Sequence, residues 1–247
     1  MTRLFAAELL KLRTVRVTWG FVLAAIAIAG LATAGNIGGA LDDARREPDY
    51  QFRLVLDASF AAVVLSLLLG IVLVTSEFRH GTIARTLLAT PRRGRLLGTK
   101  LLAGASTGLG LMLVSSLVAA VTAVIWLSLL DVPLKFGEAG DAASRAFAGA
   151  VLAGILGAAI GCVIQSQVGA LVGALVWMFV VEPLCWVLLG LLDADAVADY
   201  LPASALGGLV DSSGDGLSFA GSAAVSLAWA TFATGLAFMR LKRRDVT

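Results

Sequence analysis

The sequence predicts an all-α integral membrane protein with six transmembrane helices, and three observations lead to that prediction. The chain of 247 residues is 59% hydrophobic and 15% charged, with a mean hydropathy of +0.91, whereas soluble domains are about half apolar and about a quarter charged. Six apolar stretches reach the length of about 20 helical residues that crosses a hydrocarbon core about 30 Å thick. Lysine and arginine are concentrated in the segments on one side of these stretches.

The six predicted spans account for most of the chain, so we expect one transmembrane domain over residues 1–247. Helices are expected because lipid cannot satisfy backbone polar groups and the runs lack the alternation of barrel strands. The fourth and fifth spans are joined by three residues, which predicts a tight antiparallel hairpin. No stretch is left for a separate nucleotide-binding domain, so any energy source is expected on another chain. The approximate spans are 17–37, 54–75, 101–130, 146–164, 168–192 and 220–239.

The positions of lysine and arginine predict how the bundle is oriented. Fourteen of these 19 residues lie before the first span, between the second and third spans, or after the last span. The loops on the opposite side hold five, and the loop 193–219 contains five aspartates and no basic residue. Because cytoplasmic segments carry the excess of lysine and arginine, both termini and the loop between the second and third spans are predicted to be cytoplasmic.

The segment before the first span has the pattern of an interfacial helix. Leucine and phenylalanine recur at near-helical spacing in residues 2–16, with charged residues between them. Such a helix lies along the inner leaflet and directs its basic side chains toward lipid headgroups. It is interpreted either as an elbow helix that also contacts a cytoplasmic partner or as an ordinary basic flank. Its charged residues include Glu8, Lys11 and Arg13.

The loop 76–100 is too polar for lipid, yet it has the pattern of a short helix. Gly81 is expected to end the helix of the second span, and Thr82 is expected to cap a new one. Pro91 ends that helix, and three arginines follow it. A short helix across the inner membrane face suits a groove on a cytoplasmic protein. Its apolar face would consist of Ile83, Leu87 and Leu88.

Two segments of the chain carry a resemblance to a known family. The loop contains Glu77-Phe78-Arg79-His80-Gly81-Thr82-Ile83 and then Thr86-Leu87-Leu88-Ala89-Thr90-Pro91-Arg92-Arg93, and the N-terminal segment contains Glu8-Leu9-Leu10-Lys11-Leu12-Arg13-Thr14. Both segments resemble those of permease subunits of the type-2 ABC exporter family. Six spans with cytoplasmic ends also match the topology of that family. The resemblance in the order of the helices therefore covers the whole chain, whereas the residues that match the family are confined to the two segments.

The resemblance implies a coupling helix at about 81–90 that docks on a separate ABC ATP-binding subunit. Two copies of each subunit would form the transporter, with a homodimer or a related heterodimer of permeases, and access to a cavity between them would alternate. ATP and Mg²⁺ would bind to the partner, since this chain has no phosphate-binding glycine loop and no cofactor of its own is expected. An ordinary basic connector would explain the arginines but not the order of Glu, Gly-Thr and Pro. The implied ATPase-coupling residues are Glu77, Arg79, His80, Gly81, Thr82, Ile83, Thr86, Leu87, Leu88 and Pro91.

Glu182 lies within the fifth predicted span and is followed directly by Pro183. A carboxylate at this depth costs about 2.5–3.5 kcal/mol on insertion scales for the related Asp, so it is expected to face a polar partner, water or the bundle interior. Pro183 adds a kink. Glu182 and Pro183 either form a helix break along the transport path, or Glu182 hydrogen-bonds a neighbouring helix to fix packing. The loop 200–209 is either a short helical segment that re-enters the outer leaflet, as in the family, or a surface loop.

Glycines recur at a spacing of four in three places, which predicts close packing of membrane helices. With 27 glycines in the chain, chance pairs are common, so a specific dimer contact is only one of the options. The pairs are Gly104/Gly108, Gly157/Gly161 and Gly169/Gly173.

These observations lead to the hypothesis that the chain is a permease subunit and not an enzyme. It is expected in the plasma membrane, the inner membrane of a bacterium, and to export an unidentified drug, lipid or peptide. Membrane lipids are expected as partners, and nucleic acid is not. The alternatives are an ATPase-independent resistance protein or an ion-coupled carrier that uses Glu182. A membrane enzyme is a further class, but Asp57 and Glu182 are the acids near span interiors, and His80 is the single histidine. No metal site is predicted, because histidine, cysteine and carboxylates are not clustered at metal-ligand spacing.

Overall fold

The computed structural model describes residues 2–41, 46–82, 93–133, 139–210 and 216–242. Within these ranges the chain is helical apart from turns and short connections, and none of the described residues forms a strand. Six helices are long and apolar enough to cross a membrane. For the described residues, the prediction of an all-α chain with six helices long and apolar enough to span a membrane is thereby confirmed, whereas the side of the membrane on which each end lies stays a prediction.

The helices are numbered along the chain, and the fifth span is interrupted by one turn of π-helix. Two short helices, α8 and α9, lie between the fifth and sixth spans. The bounds are α1 Thr2–Thr14, α2 Arg16–Gly39, α3 Pro48–Arg79, α4 Arg93–Leu129, α5 Ala139–Ile164, α6 Gln167–Val176, the π-helical turn Trp177–Val181, α7 Glu182–Gly190, α8 Asp195–Ala198, α9 Pro202–Gly207 and α10 Phe219–Lys242.

Helix α3 ends where the sequence predicts, at a glycine in the left-handed region. Gly81 has φ +65°, and its N–H donates to the carbonyl of Phe78 at 3.3 Å while the N–H of Thr82 donates to the carbonyl of Glu77 at 3.0 Å. This pair of bonds is the Schellman motif, in which glycine avoids the steric penalty of a side chain. The coupling helix expected at 81–90 lies, from residue 83 onward, outside the described residues.

The hairpin between the fourth and fifth spans is also as predicted. Gln165 turns the chain with φ +60°, and Ser166 then caps α6 by accepting a hydrogen bond from the N–H of Gly169 at 3.3 Å. Serine is a favoured N-cap because its oxygen satisfies an N–H that has no partner within the helix. The short connection places α5 and α6 antiparallel to each other.

Helix α4 begins at Arg93, about two turns earlier than the apolar run that predicted the third span at residue 101. Hydropathy reports the length of chain that suits hydrocarbon, whereas a helix continues wherever its side chains pack. Leu96 and Leu97 are 1% and 4% exposed and anchor the early turns in the bundle. As a result Lys100, which the sequence suggested was part of the loop, lies within the helix.

Helices α3 and α5 form the centre of the bundle. The share of buried residues is 67% in the second span and 61% in the fourth, against 6% in the fifth span. The backbones approach closely through glycine: a Cβ added to Gly157 of α5 would lie 2.0 Å from the carbonyl oxygen of Leu67 in α3. Lipid gives little hydrophobic drive for association, so small residues that permit close contact hold membrane helices together.

The three glycine pairs have different surroundings in the structure. Gly104 and Gly108 of α4 pack against α5, and Gly157 and Gly161 of α5 pack against α3. The third pair differs, because a Cβ on Gly173 would meet no atom within 4 Å. The spacing therefore identified two helix contacts, while the third pair marks an open position.

We predict that Gly157→Ala lowers the melting temperature of the detergent-solubilised protein, because the new methyl group must push α3 and α5 apart. Overpacking of this kind costs about 1–3 kcal/mol. The matched control is Gly235→Ala in α10, where a Cβ meets no atom within 4 Å; it gains helix propensity of about 0.5–1 kcal/mol without a clash. Equal melting temperatures for the two variants would contradict the close approach of α3 and α5.

Candidate functional site

Several chain segments that the sequence predicts to be cytoplasmic meet at one end of the bundle. Arg93, at the start of α4, donates hydrogen bonds to the carbonyls of Leu241 and Lys242 at the end of α10, the latter at 2.8 Å. A cation stabilises these carbonyls because they have no partners within the helix. Arg79, at the end of α3, donates to Gln167 Oε1 at 3.2 Å. We call this the basic end: α1, the end of α3, the start of α4, the start of α6 and the end of α10.

Four charged side chains meet at the basic end, and we call them the charge cluster: Glu8 and Lys11 of α1, Glu77 of α3 and Lys100 of α4. Lys11 Nζ lies 3.0 Å from Glu8 Oε1 and 2.7 Å from Glu77 Oε1. Lys100 Nζ lies 2.7 Å from Glu77 Oε2 and 3.7 Å from Glu8 Oε1. The Lys100–Glu77 contact has the distance of an ion pair without the angles of a hydrogen bond. Each lysine therefore contacts both glutamates.

The sequence positions the members of the charge cluster through local helix geometry. Glu8 and Lys11 are three residues apart, so they share one face of α1. Glu77 lies in the last turn of α3 before the Schellman motif, and Lys100 lies in the second turn of α4. The charge cluster thus joins α1 to both helices that flank the loop 83–92.

The members of the charge cluster are buried to different extents. Glu8, Glu77 and Lys100 are 3%, 5% and 1% exposed, whereas the side chain of Lys11 is 42% exposed. Two negative and two positive charges sum to zero. Burial of such a set is possible because each charge has a partner, whereas removal of one partner leaves an uncompensated charge in a medium of low dielectric constant.

Lys11 lies in α1, outside the membrane-spanning helices, and it is the most exposed member of the charge cluster. Burial lowers its pKa, but hydrogen bonds and Coulomb attraction from Glu77 and Glu8 outweigh burial, so the pKa of Lys11 is raised above its ordinary value of 10.5. The stabilisation from a raised pKa is complete below the unfolded value and is lost as pH rises through the folded value. The charge on Lys11 is therefore maintained throughout the neutral range.

The structure brings together three of the residues selected from sequence, Glu8, Lys11 and Glu77, and adds Lys100. Lys100 was missed because it had been counted among the loop charges. In the structure it is the eighth residue of helix α4. Arg13 is exposed, and its carbonyl accepts a hydrogen bond from Trp19 Nε1 at 3.2 Å. Three further residues, His80, Gly81 and Thr82, are exposed in the turn after α3. The remaining predicted coupling residues lie outside the described residues: Ile83, Thr86, Leu87, Leu88 and Pro91.

We predict that Lys100→Met destabilises the detergent-solubilised protein by about 3–5 kcal/mol, because it leaves two buried glutamates with one lysine. The measurement is thermal or denaturant unfolding followed by tryptophan fluorescence. In the double variant Glu77→Gln/Lys100→Met, charge balance returns, and we expect recovery of most of the loss. A double variant at least as unstable as the sum of the two single variants would contradict a coupled charge cluster.

Glu182 occupies a second polar site, at the opposite end of the bundle. Its carboxylate is 3% exposed and accepts hydrogen bonds from Trp177 Nε1 at 2.9 Å, from the N–H of Ala203 at 3.1 Å, and from the N–H and the hydroxyl of Ser204, the latter at 2.7 Å. The two backbone donors are at the start of α9. The carboxylate thus satisfies N–H groups that have no partner within that short helix.

The π-helical turn explains how Trp177 reaches Glu182. Residues five apart in an α-helix differ by about 140° in direction, because each residue turns the helix by about 100°. In the turn Trp177–Val181, the N–H of Glu182 bonds instead to the carbonyl of Trp177, so the turn is wider. Pro183, which has no N–H and clashes with the preceding turn of a regular helix, follows directly. The wide turn brings the indole and the carboxylate to one face.

Glu182 also fixes the depth of α9. It lies eight residues before the end of the fifth span at Gly190, which corresponds to about 12 Å along the helix. Its bonds hold Ala203 and Ser204 at that level, so α9 lies beside the interior of the span rather than beyond it. This agrees with the re-entrant interpretation of loop 200–209 and with the packing interpretation of Glu182. A role for Glu182 and Pro183 in a transport path stays a prediction.

We predict that Glu182→Leu increases hydrogen exchange at the amides of Ala203 and Ser204 at least tenfold, equivalent to about 1.4 kcal/mol, because these donors lose their acceptor. Exchange is measured by mass spectrometry on the protein in nanodiscs. The control is Trp177→Phe, which removes one donor and leaves the two backbone bonds. If the amides of Ala203 and Ser204 exchange at the wild-type rate in Glu182→Leu, Glu182 does not hold α9.

Among the residues that the structure describes, no group of three or more histidine, cysteine or acidic side chains is placed to hold a metal ion. No protein-family model matches the sequence, and the search of curated proteins finds no match.

Proposed function

We propose that this chain is the membrane-spanning permease subunit of an ATP-driven exporter, with ATP hydrolysed by a separate subunit that binds at the basic end. The observation that carries the proposal is the charge cluster. It joins α1 to the end of α3 and to the start of α4, the two helices that precede and follow residues 83–92. A permease that is driven by a separate ATP-hydrolysing subunit needs such a connection between the segment that binds this subunit and the membrane-spanning helices.

The connection extends from the loop to the centre of the bundle. Glu77 lies in the last turn of α3, six residues before residue 83, and Lys100 lies within α4, eight residues after residue 92. Because both are buried and paired, a displacement of the loop cannot move one of them alone without separating charges. Helix α3 packs closely on α5 through Gly157 and Gly161. A force on the loop is therefore expected to tilt α1, α3, α4 and α5 as a unit.

The sequence resemblance supplies the proposed partners. The run from Glu77 to Arg93 resembles the coupling segment of type-2 ABC exporter permeases, so we propose two ATP-binding subunits that hold ATP and Mg²⁺ and a second permease copy. The fifth span, with 6% of its residues buried, leaves a long apolar face for that copy or for lipid. The glycine contacts bring α3, α4 and α5 close together, which favours a path between two copies over a path between these helices. The proposed path for a drug, lipid or peptide therefore lies between two copies in the plasma membrane.

We predict that the tagged full-length chain, purified in mild detergent from its native membrane, carries a stoichiometric ATP-binding protein identified by mass spectrometry. Replacement of residues 83–90 by a Gly-Ser sequence is expected to lower the amount of that co-purified protein at least tenfold. The control is a Gly-Ser replacement of residues 211–215, which belong to the predicted outer loop 193–219, and it is expected to leave the ATP-binding protein bound.

Two outcomes would contradict the proposal. One is that no ATP-binding protein accompanies the chain while the chain alone, in vesicles without ATP, still moves substrate or confers resistance. This result would favour an ion-coupled carrier or another ATPase-independent protein. The other is that an ATP-binding protein accompanies the chain equally well in both replacement variants, which would place its docking site elsewhere.

A further inference from the structure

An apolar cavity of about 310 Å³ lies between the fourth, fifth and sixth spans and helix α9. Gly173 lines it about 9 Å from the start of the fifth span, and Trp229 lines it about 15 Å from the start of the sixth. Because the hydrocarbon core is about 30 Å thick, both positions lie inside the membrane-spanning part of the bundle. Pro202 and Ala203 of α9 close the cavity on one side.

The polar groups around the cavity are already bonded within the protein. Trp177 Nε1 and the N–H of Ala203 donate to Glu182, and Trp229 Nε1 donates to the carbonyl of Tyr200 at 2.9 Å. No charged side chain is found among the described residues that line the cavity. A polar occupant would therefore lose its hydration without gaining hydrogen bonds, which is unfavourable. The lining is suited to a hydrocarbon occupant.

The cavity opens toward the outer surface of the bundle at membrane depth. Phe232 and Trp177 both line it and are 59% and 40% exposed. On a membrane-spanning bundle, exposed apolar side chains face lipid wherever no second copy of the chain covers them. The mouth of the cavity is thus continuous with the hydrocarbon, and a lipid chain can enter without crossing a polar barrier.

We propose that this cavity binds an acyl chain of a membrane lipid. An empty cavity lined by apolar side chains stays dry and forfeits dispersion contacts along its walls, and the surrounding bilayer supplies a chain that restores them. The bound chain would contact Pro202 and Ala203, so it would pack against the helix that Glu182 holds in place. The proposal is independent of the ATPase partner.

The test uses the full-length protein in nanodiscs of phosphatidylcholine in which an acyl chain carries a mid-chain diazirine. After irradiation, mass spectrometry locates the lipid adducts. We expect adducts enriched on residues 173–178 and 229–236. A Cβ on Gly173 meets no atom within 4 Å, so a side chain can start there in open space. We expect Gly173→Phe to occupy part of the cavity and to lower this labelling at least fivefold.

The matched control is Gly35→Phe on the first span, where a Cβ also meets no atom within 4 Å and the residue is exposed. It is expected to leave labelling of residues 173–178 and 229–236 unchanged. Equal labelling in Gly173→Phe and wild type would overturn the proposal, as would adducts spread evenly over all exposed spans. Cross-links from this region to a second copy in place of lipid adducts would show that protein covers the cavity and would also overturn it.

Discussion

The structure depends on a constraint that applies to any charge in a membrane protein: a buried charge must be paired. At the basic end, two glutamates and two lysines from three helices satisfy one another, with Lys100 and Glu77 1% and 5% exposed and 2.7 Å apart. Because separation of the pairs would leave charge in a medium of low dielectric constant, the charge cluster fixes α1 against α3 and α4. The position of the N-terminal helix follows from electrostatics rather than from an apolar contact alone.

Glu182 meets the same constraint by a different route. Among the described residues no cation pairs with it. Its carboxylate oxygens accept hydrogen bonds from the indole of Trp177, the hydroxyl of Ser204 and two backbone N–H groups of α9. A carboxylate that accepts from the first turn of a helix also interacts favourably with the helix dipole. One residue therefore determines where α9 lies, and α9 in turn closes the apolar cavity. Ion pairs thus stabilise the basic end of the bundle, and the carboxylate that caps the start of α9 stabilises the other end.

The sequence predicted those features that depend on nearby residues. Six spans followed from hydropathy, the end of α3 followed from Gly81, and the contacts at Gly157 and Gly161 followed from their spacing. Features that depend on distant residues were not predicted. Lys100 was assigned to a loop because hydropathy does not mark helix ends. Hydrogen bonding of Glu182 to a neighbouring helix was one of two interpretations, but its donors were not identified, because they lie on a helix start about 20 residues away and at a π-helical turn. The predicted coupling helix lies at residues that the structure does not describe, so it stays a prediction.

The central claim is that the charge cluster fixes α1 to the loop-bearing ends of α3 and α4. The most direct measurement is the distance distribution between spin labels at Arg13→Cys in α1 and His80→Cys after α3, recorded in nanodiscs by double electron–electron resonance. Both native cysteines, Cys162 and Cys185, are first replaced by alanine. We predict one narrow distribution with the charge cluster intact and a clearly broadened one after Glu77→Gln. Distributions of the same width with and without Glu77→Gln would contradict the account.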